Sequence, residues 1–208
     1  MAQERKIRAI FFDFGGVVGL LDRRVLASIE SRNGLGEGEL MSAALALPEW
    51  KAAEVGRGTE EAFLEALTRK LDDLGVTLPF NIREAWFMAL RRVDADVVRL
   101  VERIGGSYDV GLLSNATLRL DDELRDHLKI DGLFKVIVNS SRVGMAKPDV
   151  RIYQLAAERM GVEPAACVHV DDDVGNVEAA RRAGFQSVHH EGDCAKLEQD
   201  LRSLGMDW

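Results

Sequence analysis

The sequence has few cysteines and no long apolar segment, and these absences exclude several classes of protein. Its 208 residues include only two cysteines, Cys167 and Cys194. That is too few for a disulfide scaffold, and their spacing to the histidines matches no metal-binding motif. Residues 1–8 are charged and the apolar run after them is short, so the sequence has no signal peptide and no run of membrane length. We therefore expect a cytoplasmic protein that does not enter a membrane.

An excess of positive charge is also absent. The formal net charge is −8, which argues against a nucleic-acid partner because phosphates would be repelled. Apolar residues make up 47% of the chain and charged residues 30%, as in an ordinary globular protein. The length suits one core with an inserted or appended module. The sequence shows no internal repeat and no low-complexity stretch, and it does not indicate an oligomeric state.

One aspartate lies between an apolar run and a pair of glycines near the start of the chain. The run from Ile7 to Phe12 predicts a buried β-strand that ends at Asp13. Gly15 and Gly16 let the backbone fold tightly around whatever the carboxylate holds. Ligands of open α/β sheets bind at the carboxyl ends of the strands, so this position favours a chemical role. The alternative is an aspartate that caps a following helix.

The order of predicted elements indicates a doubly wound α/β fold. Four helices follow the first strand, predicted at Arg23 to Ser31, Glu37 to Ala46, Glu60 to Leu74 and Asn81 to Leu90. From Asp94 onward, helices alternate with strands. The predicted strands are Asp109 to Leu113, Val136 to Val138, Ala166 to Val170 and Gln186 to Val188. The predicted helices are Ala95 to Ile104, Leu118 to His127, Asp149 to Met160, Val177 to Ala183 and Ala195 to Leu204.

This alternation predicts a parallel sheet with helices on both faces, a Rossmann-like α/β core. We expect the core to comprise residues 1–21 and 93–208. Residues 22–92 would form a helical insertion, which should lie above the sheet edge that carries Asp13 because it is spliced in just after the first strand.

Two further motifs carry polar residues that we expect at the same edge of the sheet, one at a strand end and one at a helix start. Ser114 and Asn115 end a strand, where a hydroxyl, an amide and the N–H groups of the next helix suit a phosphoryl oxygen. The alternative is that Ser114 or Thr117 caps the helix. Lys147 precedes a proline and Asp149 at a helix start, where a fixed ammonium group suits an anion. An isolated surface lysine is the alternative.

An acidic cluster, Asp171-Asp172-Asp173, follows the apolar strand that contains His169. Three adjacent carboxylates repel one another unless a cation or basic groups offset them, and such oxygen ligands suit Mg²⁺. The alternative is an exposed acidic turn. We interpret His169 as a structural residue, and the spacing of His189 and His190 does not mark them as ligands.

Taken in order, these motifs resemble those of the haloacid dehalogenase superfamily, and the resemblance spans the whole chain. Asp13 matches the nucleophile motif, Ser114 the hydroxyl motif and Lys147 the lysine motif, while Asp171-Asp172 matches the acidic metal motif. The insertion resembles the family's helical cap, and the motifs are most similar to those of sugar-phosphate-type phosphatases.

The resemblance implies a Mg²⁺-dependent phosphatase that acts on a small phosphate ester. Asp13 and Lys147 would be catalytic, and Ser114, Asn115 and Lys147 would bind the phosphoryl group. Mg²⁺ would be held by Asp13, the Gly15 carbonyl and Asp172. Asp171 belongs to the same metal site, where Asp171 or Asp173 would orient the waters of the ion.

One departure from the family pattern reopens the reaction type. Most phosphatases of this superfamily carry a second aspartate, a general acid and base, where this chain has Gly15. Dehalogenases and phosphonatases also lack that aspartate. A dehalogenase, however, would not need the acidic cluster. A phosphonatase would need a lysine in the cap, for which Lys51 and Lys70 are available, and a low-turnover phospholigand-binding protein is a further alternative.

Specificity is expected to depend on the helical insertion, whose loops carry no readable code. The candidates to face the site are Glu49-Trp50, Arg57 and Trp86-Phe87. For the two tryptophans, packing inside the insertion is the favoured interpretation.

Overall fold

The computed structural model describes residues 7–20, 23–76 and 92–208, and within them five parallel strands form one sheet. The strands are β1 (Ala9–Phe12), β2 (Asp109–Ser114), β3 (Val136–Asn139), β4 (Cys167–Asp171) and β5 (Gln186–His189). Their order across the sheet is β3-β2-β1-β4-β5. The chain therefore winds outward from β1 in both directions, which confirms the predicted doubly wound α/β class.

Alternate residues of the strands face two separate hydrophobic layers. Ile10 and Phe12 pack on one side of the sheet against α5 (Ala95–Gly105) and α10 (Cys194–Ser203). Ala9 and Phe11 pack on the other side against α8 (Val150–Met160) and α9 (Val174–Arg182). Because both faces are covered, β1 has the continuous apolar sequence that is typical of a central parallel strand.

The pairing register brings the ends of three strands together. Phe12 of β1 pairs with Leu112 of β2 and with Val170 of β4. The next residues, Asp13 and Asp171, therefore lie side by side at the carboxyl edge, and the N–H of Asp13 donates to the Val170 carbonyl at 2.9 Å.

The helices between β1 and α5 have a hydrophobic cluster of their own, which includes Trp50 and Phe63 with ring centroids 5.1 Å apart. We call the described part of this segment, residues 23–76, the helical insertion. Its helices are α1 (Arg23–Arg32), α2 (Glu39–Leu45), α3 (Pro48–Ala53) and α4 (Glu60–Asp73). Thr59 caps α4 by accepting from the N–H of Ala62, the role in which threonine is often found at helix starts. The predicted helix Asn81 to Leu90 and the candidates Trp86-Phe87 lie outside the described residues.

Most predicted boundaries agree with the structure to within two residues, but four elements differ. Helix α9 begins at Val174, three residues earlier than predicted, because Asp173 caps it and accepts from the N–H of Asn176. The predicted helix Leu118 to His127 is split into α6 (Arg119–Asp122) and a π-helical turn at Glu123–Leu128. The short helices α3 and α7 (Ser140–Val143) were not predicted, since six and four residues are too few to show a helical period.

In the part of the chain that the structure describes, no helix combines the length and apolar character needed to cross a bilayer.

Candidate active site

Asp13 lies at the carboxyl end of the central strand and is buried, with 8% of its surface exposed. Its Oδ1 accepts from the N–H of Phe14 at 2.7 Å and lies 3.0 Å from the Nζ of Lys147. Burial raises the pKa of Asp13 to about 6, while the Lys147 ammonium opposes that shift and the neighbouring Asp171 adds to it. At neutral pH the group is still mostly an ionised carboxylate, as a nucleophile must be.

Lys147 is a buried ammonium group between two carboxylates. Its Nζ lies 2.5 Å from Asp171 Oδ2 in addition to its contact with Asp13. Burial alone would lower the pKa of Lys147, but the two carboxylates outweigh burial and raise it, so the lysine stays charged. The interpretation as an isolated surface lysine is therefore wrong. The backbone of Lys147 is held by Asn115, whose amide donates to the Lys147 carbonyl and accepts from the Lys147 N–H, both at 2.8 Å.

Asp171 is fully buried, and both of its oxygens already have partners. Oδ2 faces Lys147 and the Nε2 of His169 at 3.0 Å, while Oδ1 accepts from the N–H of Asp173 and the amide of Asn176. Burial alone would raise the pKa of Asp171, but Lys147 and His169 lower it. Asp171 therefore joins Lys147 to the end of β4.

His169 is buried below this pair, as expected of a structural residue. Its Nδ1 lies 3.3 Å from the Phe11 carbonyl and its Nε2 faces Asp171. Both neighbours accept hydrogen bonds, so a ring that carries one proton donates to only one of them.

The glycine turn after Asp13 touches the acidic cluster at one position only. Gly16 has a φ of +76°, and a Cβ there would lie 2.1 Å from Asp172 Oδ2. At Gly15, by contrast, a Cβ would meet nothing within 4 Å, and the backbone does not have a positive φ. The close approach of the turn to Asp172 thus requires glycine at position 16 and not at position 15.

The third strand supports the loop after Ser114. Ser140 accepts from the N–H of Ala116 at 3.0 Å, and the amide of Asn139 donates to the Thr117 carbonyl at 2.9 Å. These residues were not predicted from the sequence, although Asn139 and the serines after it follow a short apolar strand as Ser114 does. Neither Ser114 nor Thr117 caps α6, because its N-terminal cap is Leu118, which makes no side-chain capping bond. The hydroxyl of Thr117 donates instead to Glu60 of the helical insertion at 3.2 Å.

A cavity of about 610 Å³ lies between this edge and the helical insertion. That volume is in the range of small-molecule sites. On the core side it is lined by Asp13, Gly15, Ser114, Asn115, Lys147, Asp172 and Asp173, among others. On the insertion side the described lining residues are Met41, Leu45, Trp50, Lys51 and Glu54. The structure therefore brings all the predicted site residues together, and all of them line the cavity except Asp171, which is fully buried and contacts Lys147.

Among the insertion candidates, Trp50 lines the cavity and also packs in the insertion's hydrophobic cluster. Glu49, Arg57 and Lys70 are not among the lining residues, whereas Lys51 is. Glu54 was not predicted as a site residue. It directly follows the short helix α3, which shows no periodic pattern from which the side that faces the core could be predicted.

The acidic residues form a donor set that suits a divalent cation. Asp13, Asp171 and Asp172 each offer an oxygen atom, and these atoms lie within 4.8 Å of one another. Carboxylate and carbonyl oxygens are the ligands that Mg²⁺ prefers. Asp13 and Asp172 line the cavity whereas Asp171 is fully buried, so Asp13 and Asp172 are the carboxylates better placed to bind an ion directly. The alternative of an exposed acidic turn holds only for Asp173, which is exposed and caps α9.

Comparison with known proteins agrees with this geometry. Phosphatase MT3486 of Mycobacterium tuberculosis is 33% identical over 148 residues, which cover 69% of this chain and 68% of the relative. The (S)-2-haloacid dehalogenase 4A of Burkholderia cepacia is 27% identical over 157 residues, covering 69% and 67% of the two chains. The solved structure of the Bacteroides thetaiotaomicron enzyme bt-2542, in complex with magnesium and inorganic phosphate, has the same fold, with a TM-score of 0.65, 20% identity and 97% of both chains covered.

The family model described as haloacid dehalogenase-like hydrolase matches residues 7–184. That range runs from the strand before Asp13 to the end of the helix after the acidic cluster, and it includes every residue of the candidate site. Since the match covers most of the chain, this protein is a hydrolase that belongs to the haloacid dehalogenase-like family.

Proposed function

We propose that this protein is a Mg²⁺-dependent phosphatase that hydrolyses a small phosphomonoester, such as a sugar phosphate, through an aspartyl-phosphate on Asp13. The observation that carries the proposal is the environment of Asp13, a buried carboxylate that opens into the cavity between the Lys147 ammonium and the Asp172 carboxylate. The phosphatase name of the Mycobacterium relative and the magnesium and phosphate bound to bt-2542 support it. In this proposal residues 22–92 act as a cap over the core of residues 1–21 and 93–208.

The carboxylates of Asp13 and Asp172 and the Gly15 carbonyl would hold Mg²⁺, with Asp171 and Asp173 orienting its waters. When bound, the ion would offset negative charge on the phosphoryl oxygens. The fit rests on the donor set: Asp13, Asp171 and Asp172 bring three carboxylate oxygens within 4.8 Å of one another, and a cation would offset their mutual repulsion.

The side chains of the site would then divide the reaction between them. Asp13 attacks phosphorus, the bond to the ester oxygen breaks, and an aspartyl-phosphate forms. Water attacks that phosphorus, which releases inorganic phosphate and restores the carboxylate. Lys147, Ser114 and the N–H of Asn115 hold the phosphoryl oxygens, and such positioning and charge stabilisation supply most of the catalysis of phosphoryl transfer.

Gly15 stands where most phosphatases of this superfamily carry the aspartic acid that protonates the ester oxygen. Proton donation to a leaving group typically contributes about 10²–10⁴-fold to the rate. We therefore expect aryl phosphates, whose phenolate leaves without a proton, to react much faster than alkyl phosphates.

A second candidate is cleavage of a phosphonate, which needs a lysine to form an imine with a carbonyl group of the substrate. The position of Lys51 in the cavity wall favours it. Borohydride treatment in the presence of a phosphonoaldehyde would trap that imine on Lys51.

The test is to assay the purified protein with aryl and alkyl phosphates in Mg²⁺ and in chelator. The proposal predicts phosphate release that stops in chelator and resumes when Mg²⁺ is added. Full activity in chelator, with chloride release from a 2-haloacid, would instead establish a dehalogenase. Binding of sugar phosphates without cleavage of any ester would establish a binding protein.

A further inference from the structure

The two sides of the cavity differ in the kind of polar group that they offer. The core side carries the groups assigned above to the phosphoryl group and to Mg²⁺. On the insertion side, Lys51 and Glu54 are the charged residues among the described lining residues, and the others, Met41, Leu45 and Trp50, are apolar. The part of a substrate that is not phosphate would therefore meet one charged pair in an apolar wall.

Lys51 and Glu54 form an ion pair whose partners differ in exposure. Nζ of Lys51 lies 3.0 Å from Oε1 of Glu54, three residues along the chain at the end of α3. The Glu54 side chain is only 6% exposed, whereas the Lys51 side chain is 61% exposed. A buried carboxylate needs a partner because ionisation without one is costly. Lys51 neutralises Glu54 and still has N–H donors free to turn toward a ligand, since an ammonium group has three.

A neutral pair of this kind recognises hydroxyl groups better than it recognises anions. A hydroxyl can accept from the Lys51 ammonium and donate to the Glu54 carboxylate, so it satisfies both partners. A carboxylate on the substrate would compete with Glu54 for Lys51 and would be repelled by it. The same cavity already holds Asp13, Asp172 and Asp173, which add to that repulsion.

We propose that the Lys51–Glu54 pair selects phosphomonoesters whose leaving group carries hydroxyls and no charge, and that Glu54 excludes esters that carry a carboxylate. This inference rests on the proposed phosphatase function and names the class of substrate for that site. Met41, Leu45 and Trp50 contact the carbon skeleton between the phosphate and the hydroxyls. Specificity here comes from a repulsive group as well as an attractive one.

The test compares glycerol phosphate with phosphoglycerate, which differ in a terminal CH₂OH or carboxylate group. For the unmutated protein we expect kcat/KM to favour glycerol phosphate by about 10-fold or more, as unpaired or like-charged contacts give large discrimination. In Glu54→Gln, which keeps the shape of the side chain, we expect that ratio to fall by about 10-fold, mainly through a lower KM for phosphoglycerate. Lys51→Gln, at a largely exposed side chain, should raise the KM for glycerol phosphate.

Glu65→Gln is the matched control, because Glu65 is an exposed glutamate of the insertion that does not line the cavity. It should keep the ratio of the unmutated protein. An unchanged ratio in both Glu54→Gln and Lys51→Gln would overturn the inference, and so would a preference of the unmutated protein for phosphoglycerate. Aryl phosphate hydrolysis by the unmutated protein distinguishes failure of the phosphatase proposal from failure of the selectivity inference. If this hydrolysis is absent, the proposed function fails. If it is present but the kcat/KM ratio is unchanged in both variants, only the selectivity inference fails.

Discussion

The sheet edge and the helical insertion meet at one cavity, but their charged groups are held in different ways. At the edge, Lys147 and Asp171 are almost completely buried and paired with each other. Asp171 is the last residue of β4, and the backbone of Lys147 is held by two hydrogen bonds to Asn115. In the insertion, Lys51 projects from a six-residue helix with most of its side chain exposed. Buried charges that hold each other in place suit the reaction itself, because their geometry is set before the substrate arrives. A partly solvated pair suits the choice of substrate, so changes in the two regions should have separable effects.

The largest expected effect in the core follows from Asp13→Asn. Turnover should fall to the uncatalysed level, because an amide cannot form the aspartyl-phosphate. Phosphate release from an aryl phosphate in Mg²⁺ measures this directly.

The same variant should melt no lower than the unmutated protein at neutral pH in chelator. The pKa of Asp13 is raised from 3.8 to about 6 in the fold, so its stabilising contribution is present below the lower value and is lost as the pH rises through the upper one. At neutral pH the buried, charged Asp13 therefore lowers the free energy of unfolding. Asparagine carries no charge and removes this destabilising effect, and Lys147 keeps Asp171 as a partner. A melt well below that of the unmutated protein would mean that Asp13 is needed for the fold.

The adjacent glycines provide a sharper test within the core. Gly16→Ala should lower the apparent affinity for Mg²⁺ by about 10–100-fold, because the new Cβ displaces the Asp172 carboxylate. Gly15→Ala is the matched control, and we expect it to need much less additional Mg²⁺, since its Cβ enters open space. Titration of activity with Mg²⁺ measures both variants. Equal shifts would show that Asp172 does not depend on the close approach of Gly16.

Gly15→Asp tests the missing acid. The open space and ordinary backbone at this position can accommodate the side chain. If protonation limits the reaction, the rate with alkyl phosphates should rise by about 10-fold or more while aryl phosphates change little. Single-turnover rates with both esters measure the gap. Equal rates on both esters in the unmutated protein would mean that another residue already supplies the proton.

The smallest expected effect concerns how the insertion rests on the core. Gly56 has a φ of +69°, and a Cβ there would lie 2.3 Å from the Ser141 carbonyl. Gly34 has a similar φ of +71° but open space around it. Gly56→Ala and Gly34→Ala should each cost about 1 kcal/mol through backbone strain. Only Gly56→Ala should also raise the KM for an alkyl phosphate by a few fold, because only Gly56 contacts the core. The same rise in both variants would contradict the assignment of this contact.

The core was predictable from sequence because its signals are local. An apolar strand that ends in Asp13, Ser114 or Asp171 marks both the element and its functional end, and the parallel sheet then brings those ends together. The separate roles of the three adjacent aspartates were not predictable. They depend on which oxygen meets Lys147, Asn176 or the turn at Gly16, and such contacts between distant segments leave no pattern in the sequence.

The insertion was predictable only as a run of helices. Its longer helices, such as α4, show a clear period, but α3 is too short to show one. The sequence therefore does not distinguish Glu54 from a surface glutamate. In the structure, Trp50 packs against Phe63, and α3 is oriented so that Lys51 and Glu54 line the cavity.

In the proposed mechanism Asp13 becomes covalently phosphorylated, and the insertion takes no part in that step. The most direct test is to mix the enzyme with an aryl phosphate and Mg²⁺, quench the reaction rapidly with acid and map the peptides by mass spectrometry. The account predicts one phosphoryl group on the peptide that contains Asp13, absent from the Asp13→Asn protein. Steady turnover with no phosphoryl group on that peptide at any quench time, or with phosphate attached to Lys51 or another residue of the insertion, would contradict it.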